Sequence, residues 1–404
     1  MLESVVILYS LYVLMKLYIS VMQIGYINDE KRKEPVLMSS AKYMVSANYA
    51  VAKEKLSLVE IFVDYFVFLW WIIVGFSIIE GLFHFENIIT QSVAFLFGFI
   101  FVNFLIGIPF ELYMKFKIDE DFKFNKMTPK DYIVDTLKSS FVFIILGGAI
   151  FYLLSWIISS YDNWWLWGFG VMFIVVLGAN IVYPIFIAPL FNKFTPLEDG
   201  ELKSAIVSMM EGVGLKSDGI FSMDASKKDS RLNAYFAGLG KSKRVVLFDT
   251  LIEKLTKDEL LAVLGHELGH FKHGDIFKNL GLISILLFVT FFLAGNIPDK
   301  MFLEIGVVPS AGAKIALLML LMPIISFLFT PIISFVSRHN EYEADEFGAN
   351  LGGKENLATA LLKLVTENKS FPKSHPLVIF FYYTHPPVIE RLKELGYEDK
   401  AIAS

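Results

Sequence analysis

The 404-residue chain contains no cysteine. Disulfides and thiolate metal ligands are therefore excluded, and any metal ion must be held by His, Asp or Glu. Charge is also scarce: Asp, Glu, Lys and Arg make up 19% of the residues, against roughly 25% in an ordinary globular protein. The net charge is only −5, and no basic tract is long enough to track a phosphate backbone, so nucleic acid is excluded as a partner. There is no internal repeat and no low-complexity segment. What the chain has instead is apolar surface, with 55% hydrophobic residues and 39 phenylalanines. A soluble fold of this size could not hide so much, and several runs reach the roughly 18 to 20 apolar residues that cross a bilayer. The class is integral membrane protein.

Seven segments qualify as spans, at about 4–23, 58–83, 88–113, 132–158, 164–189, 279–297 and 313–337. The first carries Lys16 in its middle, starts from Glu3 instead of a basic region and lacks a small-residue cleavage pattern, so it reads as a retained helix. The connections differ in charge. The stretch 24–57 holds six Lys or Arg and 114–131 holds five, whereas 84–87 and 159–163 hold none. The positive-inside rule then puts the basic loops, residues 190–278 and the tail 338–404 on the cytoplasmic side, with the N-terminus outside. An odd number of spans is required, and seven fits. Charges inside or beside the spans, Lys16, Asp64, Glu80, Glu111 and Asp135, are expected to face a polar interior or the interface.

Four regions follow: 1–189 with spans one to five, 190–278 as a catalytic segment, 279–337 with spans six and seven, and 338–404 as a catalytic tail. Strand-like runs at Gly219–Ser222 and Arg244–Leu251 precede a helix opening at Thr256-Lys-Asp-Glu259, whose Thr and Glu match the reciprocal capping box. That helix contains His266-Glu267-Leu-Gly-His270. On a helix, HExxH sets the two imidazoles one turn apart on one face, where both reach a single Zn2+. Glu267, rotated around the helix, is then set to take the proton of the attacking water. A third, carboxylate ligand is offered by Glu341 in Glu341-Tyr-Glu-Ala-Asp345, on the continuation of the last span. Asp345, one turn further on, can orient a ligating His.

Together with this metal pattern, four runs resemble the type I CAAX prenyl endopeptidase family: Arg338–Asp345, Asn233-Ala-Tyr-Phe-Ala-Gly238 followed by Lys243–Thr250, Pro189–Pro196, and His385-Pro-Pro-Val-Ile-Glu-Arg-Leu392. The resemblance extends from the basic loop before the second span to the tail. It implies an all-α polytopic membrane fold of seven helices forming a barrel around a chamber, with a small α+β gluzincin-like catalytic domain on the cytoplasmic side. It implies one Zn2+ per chain on His266, His270 and Glu341, with Glu267 as general base. It further implies Asn233 and Ala234 on an edge strand that pairs with the substrate backbone, and His385 and Arg391 near the scissile carbonyl. Read without the resemblance, Asn233 simply terminates a turn, His385 equally caps or fills a helix entrance, and Arg391 is a solvated helix charge or a carboxylate partner. The partners expected are membrane lipid and a peptide or protein substrate, prenylated or unmodified.

Two other readings stay open at this level. A membrane quality-control zinc protease also combines HExxH with ExxAD, and a transporter could retain a structural metal site. Structural zinc sites are closed, however, and Glu267 beside an open fourth position argues for hydrolysis.

Overall fold

The computed structural model describes residues 1–214, 219–238 and 244–397. Lys243 of the Lys243–Thr250 run and residues 398–404 of the expected tail lie outside the described residues. Among the described residues seven helices are long and apolar enough to cross a membrane. The first five are α1 (Leu2–Glu30), α2 (Ser40–Leu82), α3 (Ile88–Asp119), α4 (Pro129–Ser160) and α5 (Trp164–Phe191). After the helices α6 (Glu201–Gly212), α7 (Asp249–Lys254) and α8 (Lys257–Lys272) come the last two spans, α9 (Asp275–Gly295) and, beyond the short α10 (Asp299–Ile305), α11 (Ala311–Gly352). Three helices, α12 (Lys354–Glu367), α13 (Pro376–Tyr382) and α14 (Val388–Glu394), complete the chain. All seven apolar segments are thus helical, and most of the helices run past them.

The spans pack as a ring, α1 on α2, α2 on α3, α3 on α4, α4 on α5, α5 on α9, α9 on α11 and α11 back on α1, with α11 also packing across on α3 and α4. Large apolar side chains such as Leu11, Phe66, Ile73, Phe141, Ile174 and Phe335 are exposed on these helices, an arrangement that suits lipid and not water. Inside the ring, Lys16 and Asp64 line a cavity of about 550 Å³ among α1, α2, α3 and α11. The other expected interior or interfacial charges sit near helix ends with partners. Glu80 accepts from the Val308 N–H, Glu111 from the Tyr132 hydroxyl, and Asp135 pairs with Lys228.

Four strands, β1 (Phe194–Pro196), β2 (Ile220–Met223), β3 (Ala234–Ala237) and β4 (Arg244–Phe248), form one sheet in the order β1-β2-β4-β3. β2 and β4 are parallel, and β3 lies antiparallel to β4 at the edge, with Ala234 opposite Leu247. Two strand boundaries differ from expectation. β2 is shifted by one residue, and β4 ends at Phe248 instead of Leu251, because Asp249 turns the chain into α7 by accepting the N–H groups of Ser226 and Thr250. The core under the sheet joins Ile206, Ile220 and Leu247 to Leu260, Leu264 and Leu268 of α8.

The helix that carries HExxH starts as its capping box dictates: the Thr256 hydroxyl accepts from Glu259 N–H at 3.3 Å and the Glu259 carboxylate accepts from Thr256 N–H at 2.8 Å. It packs on α11 with almost no side chain between the backbones. A Cβ added at Gly348 would stand 2.6 Å from His266 N, and one at Gly352 2.4 Å from Ala262 Cα. This close seam is what brings the HExxH face of α8 within reach of the ExxAD face of α11.

Candidate metal centre and active site

His266 and His270 project from one face of α8 with their Nε2 atoms 3.2 Å apart. Glu341 of α11 closes the triangle, with Oε1 at 3.2 Å from His270 Nε2 and Oε2 at 3.5 Å from His266 Nε2. Ligand atoms arranged tetrahedrally at about 2.0 to 2.1 Å from a zinc ion stand about 3.3 Å from one another, so the triangle has the size a metal needs. Glu341 Oε2 is buried and accepts no hydrogen bond, a condition that a bound cation relieves. Among the described residues no other group of His, Asp and Glu meets in this way.

Each imidazole is held from behind. His266 Nδ1 lies 2.8 Å from Asp345 Oδ1, the second-layer contact expected of Asp345. Arg391 donates to that same carboxylate through Nε at 2.7 Å and Nη2 at 2.6 Å, and its Nη1 is 3.4 Å from Glu341 Oε2. With only 8% of its surface exposed, Arg391 is no solvated helix charge but a carboxylate partner, and it lines the same cavity as His385.

His270 has a matching support that sequence reasoning missed. Its Nδ1 is 2.8 Å from Asp275 Oδ2, and Lys278 stands 2.8 Å from Asp275 Oδ1 while donating to Asn340 of α11 at 3.0 Å. Asp275 is the first residue of α9, and it can fold back on His270 because Gly274 takes a left-handed conformation, φ 69°. The signal was a Gly-Asp step immediately after the motif helix.

Glu267 lies between two cavities and lines both. Burial pushes its carboxyl above the ordinary range against the pull of His266 and His270. His385 stands with Nε2 3.2 Å from Glu341 Oε1, and its side chain is largely accessible. It lines the first cavity, of about 570 Å³, together with Asn233, Ala234 and Tyr383. The second cavity, of about 510 Å³, is bounded by Tyr183, Tyr235, Phe236 and Phe271.

β3 passes from one cavity to the other beside Glu267, and among the described residues no strand pairs with its outer edge. Ala234 begins this edge strand, whereas Asn233 lies one residue outside it. The reason is local: the Asn233 side chain takes the Ala234 N–H at 2.8 Å while its own carbonyl accepts from Phe248 N–H. The approach to the strand is pinned by Asn368, which both accepts from the Leu232 N–H and donates to the Leu232 carbonyl.

Comparison with known proteins agrees with this geometry. Residues 196–399 match peptidase family M48, and residues 32–193 match the CAAX prenyl protease N-terminal region of five membrane helices. The chain is 35% identical to CAAX prenyl protease 1 of Saccharomyces cerevisiae across 91% of this chain and 89% of that protein. It is 37% identical to the CAAX prenyl protease 1 homolog of Arabidopsis thaliana across 78% of this chain and 76% of the relative. The crystal structure of S. mikatae Ste24p superposes with a TM-score of 0.90 at 32% identity, covering 97% of this chain and 98% of that one. These likenesses favour a protease over a transporter with a structural metal. The chain belongs to peptidase family M48, as a multi-pass membrane metalloprotease of the CAAX prenyl protease 1 type.

Proposed function

We propose that this protein is a zinc endopeptidase that processes the C-termini of prenylated CAAX proteins at the cytoplasmic face of its membrane. The observation that carries the reading is the triangle of His266, His270 and Glu341 beside Glu267, set where an edge strand joins two cavities. His266, His270 and Glu341 are the residues that would hold the zinc, and when bound it supplies Lewis acidity toward a peptide carbonyl and toward water.

This chain's own groups do the rest. Glu267 takes the proton of the attacking water on its carboxylate and returns it to the departing amine. Asp345 and Asp275 each accept the Nδ1–H of one histidine, so that both Nε2 atoms stay free to face the centre. His385 is accessible at the rim of the site and can donate to the oxygen on which charge develops. Arg391 braces Asp345 and Glu341 and, lining the first cavity with His385, can also face the scissile carbonyl. The outer edge of β3, entered from Asn233 and Ala234, can take up an extended peptide as a further strand. The sidedness rests on loop charge, and the prenylated substrate on the family to which the chain belongs.

Product mapping by mass spectrometry tests the proposal. Purified protein offered a farnesylated CAAX peptide and its unmodified counterpart should cut after the modified cysteine and prefer the modified peptide. Cleavage of unmodified peptides alone would point instead to membrane quality control.

A further inference from the structure

The two cavities that meet at Glu267 differ in which elements bound them, and the difference orients the substrate. The first is built by α8, α12 and the tail, with a mixed wall of Leu357, Leu361 and Phe371 beside Asn368, Thr384 and His385. The second lies between the cytoplasmic ends of two membrane spans, α5 and α9, with β3 along one side. Tyr183, Pro184, Tyr235, Phe236, Phe271 and Ile276 make it largely apolar. It adjoins apolar surface that a bilayer would cover: Ile181, Tyr183 and Phe186 of α5 and Phe277 of α9 are all exposed. At the same place α5 widens into a π-helical turn over Tyr183–Ile187, a departure that helices commonly make at functional sites.

We infer that the second cavity holds the isoprenoid chain of the substrate's modified cysteine, and that the peptide therefore lies antiparallel to β3 with the residues to be released over Asn233 and the first cavity. The inference rests on the proposed function and adds to it the binding subsite and the chain direction. An isoprenoid is already buried in lipid before it meets the enzyme, and drawing it through water would forfeit that burial. A slot bounded by two spans and flanked by their lipid-facing side chains lets it pass sideways from the bilayer. The cysteine that carries the chain also supplies the scissile carbonyl. Its thioether must therefore sit within reach of Glu267 and His270, and both line this cavity. β3 runs from Ala234 at the first cavity to Phe236 and Gly238 at the second. With the cysteine by Phe236, the released residues continue toward Asn233, opposite to the direction of β3. That is the same relation β3 already has with β4, and a good one for adding a strand.

The test uses the full-length protein with zinc, two peptides of one sequence that differ only in S-farnesylation, and variants that narrow each cavity. Ile276→Trp and Ala179→Phe should lower the ratio of kcat/KM for farnesylated over unmodified peptide by about tenfold or more, as misfit in an apolar pocket does. Leu361→Phe, in the first cavity, should depress both substrates together and leave the ratio within about twofold of the wild type. Photolabelling, which does not depend on how a variant folds, supplies the second measurement. A peptide bearing a diazirine on its isoprenoid, bound to Glu267→Gln, should leave adducts within 179–184, 235–238 or 271–276. Adducts within 361–371 or 383–391 would overturn the assignment while leaving a farnesyl preference, and with it the proposed function, intact. An unchanged ratio in both second-cavity variants would also overturn it and give the groove to a bilayer lipid. Loss of any farnesyl preference in the wild type would overturn the proposed function itself and the inference with it.

Discussion

Glu341 is one buried carboxylate facing His266 and His270 as well as His385, and His266 and His270 each lean on a carboxylate of their own. The two supports differ in how they are braced: Arg391 grips Asp345 with two donors, whereas Lys278 meets Asp275 with one ammonium and ties it to Asn340 on α11. Removing either support should loosen the metal without unfolding the chain. Asp275→Asn is expected to weaken zinc binding by about 10- to 100-fold, read by competition with a chromophoric chelator, because the amide no longer fixes the histidine tautomer. An unchanged affinity would mean that Asp275 merely caps α9. Glu267→Gln should behave in the opposite manner, keeping the metal and the fold while losing hydrolysis by several orders of magnitude, since an amide cannot take the water proton. The HExxH and ExxAD residues were legible from sequence because a helix converts their spacing directly into a shared face. Asp275 was not, because the chain leaves the helix at Gly274 before returning to His270. Nor was the burial of Arg391, since only the packed tail brings α14 under α11.

The α8–α11 pair is the element on which the centre depends. Its seam of small residues lets two helices from distant parts of the sequence touch backbone to backbone, and any added bulk acts at the histidines directly. Gly348→Val should separate the helices, destabilise the protein by about 1 to 3 kcal/mol and abolish stoichiometric zinc binding. A variant that kept full zinc would show the seam to be tolerant. The start of α8 makes a separate, pH-dependent contribution. Glu259 is buried, which favours its neutral form, but the hydrogen bonds from Lys363 and from Thr256 prevail and hold its carboxyl below the usual range. A depressed folded-state value adds stability that is complete above the unfolded value, about 4.3, and is lost as pH falls through the folded one. Glu259→Ala should therefore lower stability by about 1 to 2 kcal/mol at pH 7 and by less at pH 3, measured as the thermal midpoint in detergent. An equal loss at both pH values would contradict the assignment. The helix start was legible as a capping box, whereas the end of β4 was not, because the hydrogen bonds of Asp249 to Ser226 and Thr250 join residues that propensity treats separately.

At the scale of the whole molecule, hydropathy found the seven spans because a bilayer demands long apolar runs, and it found them with little help from side-chain detail. The closing of these helices into a ring, with cavities between them, depends on packing that no local pattern carries. The proposed orientation rests on loop charge and can be checked in a chain free of cysteine. Ser39→Cys, in the basic loop before α2, should be shielded from an impermeant thiol reagent added outside intact cells, and Ser160→Cys should react. The reverse pattern would put the catalytic helices outside and exclude cytosolic proteins as substrates. The proposed hydrolysis depends on the metal centre, and metal content per chain measures that centre. Purified wild type and Glu267→Gln should each carry one zinc, and Glu341→Ala should carry none. Full occupancy in Glu341→Ala would contradict the account.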